Sequence, residues 1–212
     1  MSWERYKKYY LGLNNLGFGI DVSRVDFDDA YLSSMSGKMK TALAAMQALE
    51  GGAIANPDEN RMVGHYWLRN PALAPTEEIK NEIVSTVEKI KDFAKKIHKG
   101  EIVGADGKFK YVLCIGIGGS YLGAKAVAEA MGDSFAALRP RKEPVVVFAG
   151  QNLSEEYTYE LLDAVKDHSI AAIVISKSGT TTEPAVAFRI VKAEIERRYG
   201  KAGAAERIVA IT

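Results

Sequence analysis

Hydrophobic positions change period part-way along the chain, and the change separates two regions. Through the first hundred residues, apolar side chains recur every three or four positions, the period of a helix with one buried stripe. Leu32, Met35, Met39, Leu43, Met46 and Leu49 form such a stripe, with Asp28 placed to cap it and Gly51-Gly52 to end it. Its methionines read as core filler. Asn56-Pro57 predicts a cap with proline at the first helical position, opening a short helix to about Leu68 that stops before Pro71. The strongest helix signal covers 77–99. Thr76 caps it, Glu77 and Glu78 lie in the first turn, and Ile79, Ile83, Val87, Ile90, Ala94 and Ile97 share one face. Lys95, Lys96, His98 and Lys99 crowd its last turn before Gly100. Residues 100–110, with Gly104 and Asp106-Gly107, read as a turn-rich connection.

From Tyr111 the pattern becomes short, nearly continuous apolar runs at 111–115, 145–149, 170–175 and 208–211. Helical stretches near 120–131, 154–166 and 183–199 separate them. Such alternation predicts an α/β fold, a doubly wound parallel sheet buried on both faces. We therefore expect a helical N-terminal segment over 1–105 packing on a parallel α/β domain over 106–212. The last run stops where a loop at the carboxyl edge of the sheet is due, so we expect this chain to be part of a longer protein.

Composition narrows the classes. Over 212 residues, 47% hydrophobic and 26% charged, the net charge is +1, which favours neither nucleic acid nor an acidic membrane. No apolar run approaches the ~20 residues of a membrane span, and the first residues lack the core of a signal peptide. Cys114 is the one cysteine and sits within an apolar run, so packing is its expected role and a reducing cytoplasm the expected compartment. The three histidines are scattered and give no metal-ligand spacing.

Candidate chemistry lies in two loops that follow apolar runs. Gly116-Ile117-Gly118-Gly119-Ser120 follows the first run; Ser176-Lys177-Ser178-Gly179-Thr180-Thr181-Thr182 follows the third. Both belong at the carboxyl edge of a parallel sheet, where helix N-termini present free N–H groups and a positive dipole end to an anion. A dinucleotide fingerprint fails, because Tyr121 stands where its third glycine is due and Phe148-Ala149-Gly150-Gln151-Asn152 offers no ribose-binding acid. A triphosphate loop fails too: Gly118 and Gly123 have the spacing, but Ala124 precedes Lys125 and no hydroxyl follows. Several neutral donors and one ammonium suit a monophosphate. Helix capping by the same hydroxyls is the simpler alternative.

Gly116-Ile117-Gly118-Gly119-Ser120-Tyr121-Leu122-Gly123 and Ser176-Lys177-Ser178-Gly179-Thr180-Thr181-Thr182-Glu183-Pro184 resemble the two phosphate loops of the glucose-6-phosphate isomerases, the bacterial branch in particular. Asn60-Arg61-Met62-Val63-Gly64-His65-Tyr66-Trp67-Leu68-Arg69 is similar to a third segment of that family. The resemblance implies a sugar-phosphate-binding (SIS) fold with flavodoxin-type layering. It places phosphate ligands on Ser120, Ser176, Lys177, Ser178 and Thr181, with Gly119 beside the sugar. It implies cofactor-free interconversion of glucose 6-phosphate and fructose 6-phosphate, by ring opening and proton transfer through a cis-enediol. The family's glutamate base, arginine, and ring-opening histidine and lysine match positions beyond Thr212. The resemblance therefore assigns no catalytic residue, metal or cofactor here and implies no isomerase activity from these residues alone. The partners it implies are a sugar phosphate, a C-terminal domain of the same protein and a second subunit in a homodimer, with no nucleic acid or membrane. A non-catalytic sugar-phosphate sensor of the same fold is the alternative.

Other residues invite a role. Arg61, His65 and Arg69 fall four apart, one basic face if helical, which either reaches the phosphate or, more commonly, pairs with carboxylates. Tyr66 and Trp67 read as core anchors. Arg139, Arg141 and Lys142 precede the second run, at the amino edge and away from ligand. His98 has a sufficient explanation in the helix dipole, His168 belongs to the amino edge, and Glu183 is expected to favour its own helix start.

Overall fold

The computed structural model describes residues 2–104, 107–140 and 143–212. The chain forms two compact units, Met1–Val87 and Glu88–Thr212.

The first unit is less uniformly helical than its periodicity predicts. Helix α1 (Trp3–Tyr9) leads into β1 (Tyr10–Leu13), which pairs antiparallel with β2 (Phe18–Asp21). Gly17, at φ 60, lets the chain reverse between them. Arg5 ties the N-terminus down, donating to the carbonyls of Ser23 at 2.8 Å, Val25 at 2.7 Å and Phe27 at 3.1 Å. Helix α2 (Asp29–Glu50) has the expected start, with Asp28 accepting the Tyr31 N–H at 2.7 Å, and ends at Gly51. Its stripe is not core, however: Leu32, Met39, Leu43 and Met46 are exposed. The expected helix from Asn56 to Leu68 is replaced by a small hairpin, β3 (Ile54–Asn56) with β4 (Arg61–Met62), and a five-residue helix α3 (His65–Arg69). The Asn60 N–H bonds back to the Pro57 carbonyl and Asn60 takes φ 49, so this segment turns instead of winding on. Trp67 is buried as expected, its indole donating to the Glu50 carbonyl at 2.8 Å.

Helix α4 (Glu77–Lys99) contains the boundary between the units. Thr76 accepts the Ile79 N–H at 3.3 Å, and Gly100 closes the helix at φ 76. Asp106, in the connection that follows, lies outside the described residues. The second unit then alternates β5 (Tyr111–Ile115), α5 (Gly119–Ala130), β6 (Val145–Ala149), α6 (Glu155–Val165), β7 (Ile170–Ile175), α7 (Thr182–Ala205) and β8 (Ile208–Ile211). All four strands have the expected bounds and pair in parallel, in the order β6-β5-β7-β8. Leaving β5, the chain moves outward to β6, then returns to the far side of β5 as β7 and continues to β8.

Burial is lopsided. Leu113, Ile115, Ala149 and Ala172 lie under Val165 of α6 and Val191, Ile195 and Ala204 of α7, forming the core. The residues between them in sequence point to the other face. There Cys114 is buried, and Tyr121 of α5 packs its ring 5.9 Å from that of Phe148. Yet Val146 and Ile211 remain exposed on that face, so it is covered only in part. Burial pushes the Cys114 thiol up from its ordinary value, as befits a packing residue and not a nucleophile.

One ion network ties α7 to the turn before β7. Glu194 accepts Arg197 Nε at 2.7 Å and Nη2 at 2.8 Å, and Arg198 Nε at 2.7 Å. Arg198 Nη1 continues to the Val165 and His168 carbonyls at 3.1 and 2.7 Å. The Arg197 hydrogen bonds first, and Arg198 after them, hold the Glu194 carboxyl down at about 2. A carboxyl depressed in the folded state stabilises it above the ordinary value near 4.5, and that stabilisation fades as pH falls toward 2. Glu194→Gln is therefore expected to cost about 2 kcal/mol in urea unfolding at pH 7, a figure discounted for the exposed Arg197. The gap from the parent protein should narrow steadily below pH 4.5.

Candidate functional site

Both glycine- and hydroxyl-rich loops lie at the carboxyl edge of the sheet, rooted on the neighbouring strands β5 and β7. Ile115 pairs with Val174, so the two loops begin within a residue of the same level. Adjacent strands lie ~4.8 Å apart, a spacing that one phosphate and its hydrogen-bond donors can bridge. From β5 the chain runs toward β6, and from β7 toward β8. This reversal of winding direction is where doubly wound sheets open a crevice.

In the first loop the Gly116 N–H donates to the Ala149 carbonyl at 3.1 Å, carrying the ladder one step past the strands. A Cβ at Gly116 would stand 2.8 Å from the Ser120 carbonyl oxygen, so only glycine permits so close a return. Gly118, at φ 54, is the N-cap of α5 and offers no side-chain cap. Gly119 is exposed with open space around it, and Ser120 is half-buried in the first turn. In the opening turn of α5 the Ser120 N–H donates to the Ile117 carbonyl at 3.0 Å and the Tyr121 N–H to the Gly118 carbonyl at 3.1 Å, which sets this turn at the carboxyl edge.

The second loop is held by its own side chains. The Ser176 N–H donates to the Ile211 carbonyl at 3.0 Å, and Ser176 Oγ accepts the Gly179 N–H at 3.0 Å. Ser178 Oγ accepts the Thr180 N–H at 3.2 Å and pairs with Thr180 Oγ1 at 2.9 Å. Thr181 is the N-cap of α7, but its hydroxyl makes no capping bond. Capping thus leaves the Thr181 hydroxyl unexplained. Ser176 and Ser178 accept within the loop, and an accepting hydroxyl keeps its own proton available.

Ser176, Gly179 and Thr181 line a cavity of about 400 Å³ together with Phe188, Arg189 and Ile211. The structure thus brings Ser176 and Thr181 together, with Lys177 and Ser178 exposed beside them. The cavity opens on the β8 side of β7, whereas Gly119 and Ser120 stand on the β5 side and take no part in its lining. Sequence reasoning missed Gly150. At φ 78, a Cβ there would come within 2.8 Å of Ile115 Cγ2 and 3.3 Å of Pro184 Cα. The loop after β6 is thereby set against the first turn of α7. The only sequence signal is a glycine closing an apolar run. Arg189 was also missed, although it follows Thr181 and Ala185 at helical spacing.

The remaining candidates fall elsewhere. Arg61 is in β4 while His65 and Arg69 are in α3, so the three do not share one helical face. The His65 ring lies tilted against that of Tyr66, ring centres 4.1 Å apart. His98, beyond its dipole position, pairs with Glu143 at 2.6 Å. His168 lies 5.4 Å from the Tyr111 ring at the amino edge. Arg139 pairs with Asp133 at 3.1 Å, while Arg141 and Lys142 lie outside the described residues. Glu183 is in the first turn of α7, as expected. Among the described residues, no group of three or more His, Cys, Asp or Glu is placed to hold a metal.

Comparison with known proteins is consistent along the chain. The profile of the phosphoglucose isomerase family matches residues 21–212. A glucose-6-phosphate isomerase of Nostoc sp. is 47% identical over 185 residues, 86% of this chain and 34% of that protein. One of Desulfitobacterium hafniense is 41% identical over 216 residues, 100% of this chain and 38% of its own length. The crystal structure of a glucose-6-phosphate isomerase from Chlamydia trachomatis superposes with a TM-score of 0.75 at 27% identity, covering 99% of this chain and 39% of that one. The chain thus spans between a third and two-fifths of the length of these relatives.

Proposed function

The chain belongs to the phosphoglucose isomerase family, and from that premise we propose that it supplies the phosphate-holding part of an enzyme interconverting glucose 6-phosphate and fructose 6-phosphate. Ser120, Ser176, Lys177, Ser178 and Thr181 hold the phosphate dianion, and the exposed Gly119 lets the sugar approach the start of α5. Residues 106–212 act as the sugar-phosphate-binding domain. Proton transfer belongs to residues outside this span, supplied in a full-length, cytoplasmic, homodimeric enzyme. No helix among the described residues is long and apolar enough to cross a membrane.

The observation that carries this reading is the placement of two donor-rich loops on β5 and β7, the strands from which the chain departs in opposite directions. Their hydroxyls and the positive dipole ends of α5 and α7 suit an acceptor-only dianion, which a neutral sugar cannot replace. Calorimetric titration with glucose 6-phosphate, with glucose and inorganic phosphate as controls, tests it. Expected are weak binding of the phosphosugar, weaker binding of phosphate and silence with glucose. Binding of glucose equal to that of glucose 6-phosphate would overturn the reading.

A further inference from the structure

We propose that Thr180 is a positioning residue that turns the single hydroxyl proton of Ser178 toward the bound phosphate, an inference that rests on the phosphate reading above. A serine hydroxyl has one proton and two lone pairs. Thr180 addresses both lone pairs of Ser178 Oγ: its N–H from 3.2 Å and its hydroxyl from 2.9 Å. The pair of hydroxyls has two senses. If Ser178 donates to Thr180, the serine proton is consumed inside the loop. If Thr180 donates to Ser178, that proton is left pointing away from the loop.

A phosphate dianion accepts hydrogen bonds and donates none, so its arrival selects the second sense. Two donors into one hydroxyl oxygen also polarise it, which strengthens the bond it gives in turn. Thr180 is not itself a phosphate ligand in this arrangement, because its one proton is spent on Ser178. Its β-branched side chain suits the task, since restricted rotation about χ1 holds the hydroxyl in place. Ser176 reaches the same condition by another route, accepting the Gly179 N–H at 3.0 Å while its proton stays free. Gly179, at φ 69, turns the chain between Ser178 and Thr180 so that residues two apart can bond.

The test is a double-mutant cycle read by calorimetry with glucose 6-phosphate and inorganic phosphate on the whole chain. Thr180→Val keeps the shape and removes the donor; Thr180→Ser keeps the donor. Thr180→Val is expected to weaken both ligands about 5- to 10-fold, and Thr180→Ser to stay within about twofold of the parent. On a Ser178→Ala background, Thr180→Val should add nothing, because Thr180 acts through that serine. Unchanged affinity in Thr180→Val, or penalties that simply add in the double variant, would overturn the proposal. Unchanged affinity in Ser176→Ala would instead count against the phosphate reading itself, so the two failures are distinguishable.

Discussion

Replacing Ser176 and Ser178 together by alanine is expected to weaken glucose 6-phosphate binding by about two to four orders of magnitude. Each hydroxyl contributes one hydrogen bond to a charged acceptor, worth about 1.5–3 kcal/mol, and 1.4 kcal/mol is a factor of ten. The neighbouring lysine does not compensate, because Lys177 is exposed, where water screens its charge. The folded state should change little, since Ser178 is exposed and Ser176 only half-buried. Circular dichroism and a urea midpoint near that of the parent would establish this. A double variant that binds as tightly as the parent would show that the hydroxyls do no more than shape their own loop.

Leu113→Ala has the largest expected effect on stability, a loss of about 3–5 kcal/mol in urea unfolding of the second unit. Leu113 is fully buried on β5, which has a strand on each side. It points to the face covered by α6 and α7, in one cluster with Val165, Val191 and Ile195. Truncation removes the transfer free energy of the lost carbons and leaves a cavity that a three-layered packing cannot easily collapse into. Val146→Ala on the outer strand β6 provides the contrast. Val146 is 45% exposed, so its truncation should cost less than about 1 kcal/mol. Equal losses at the two positions would mean that the core does not lie beneath α6 and α7.

Local pattern made the second unit legible. Its strands are continuous apolar runs because a parallel strand between helices meets apolar neighbours, and a glycine or a polar residue marks where each run stops. The four strand boundaries therefore followed from local pattern alone. Sheet order did not: nothing in the spacing of the runs says that β7 returns to the far side of β5, yet that return creates the switch point. The first unit was harder to read. Strands β1 and β2 are almost wholly exposed, so no burial imposes a period of two on them. In α2 a helical stripe is present without being buried, which shows that period predicts conformation and not partners. At Asn60 an isolated positive φ converts a promising helix start into a hairpin, a choice residue type only hints at.

Within the candidate site, the loops could be found by eye because glycine and hydroxyl residues cluster there. What they lean on could not. Gly150 matters through Ile115 and Pro184, far away in sequence, and the Ser178–Thr180 pair matters through the sense of one hydrogen bond. Such features emerge only once the backbone has brought the groups together.

The central claim is that loops 116–120 and 176–181 serve a single phosphate. It is tested most directly by following backbone amide resonances of the isotopically labelled chain during titration with glucose 6-phosphate. The account predicts that Gly119, Ser120, Gly179 and Thr181 shift together, with one dissociation constant shared by both loops. Shifts confined to one loop, or two loops titrating with different constants, would contradict it.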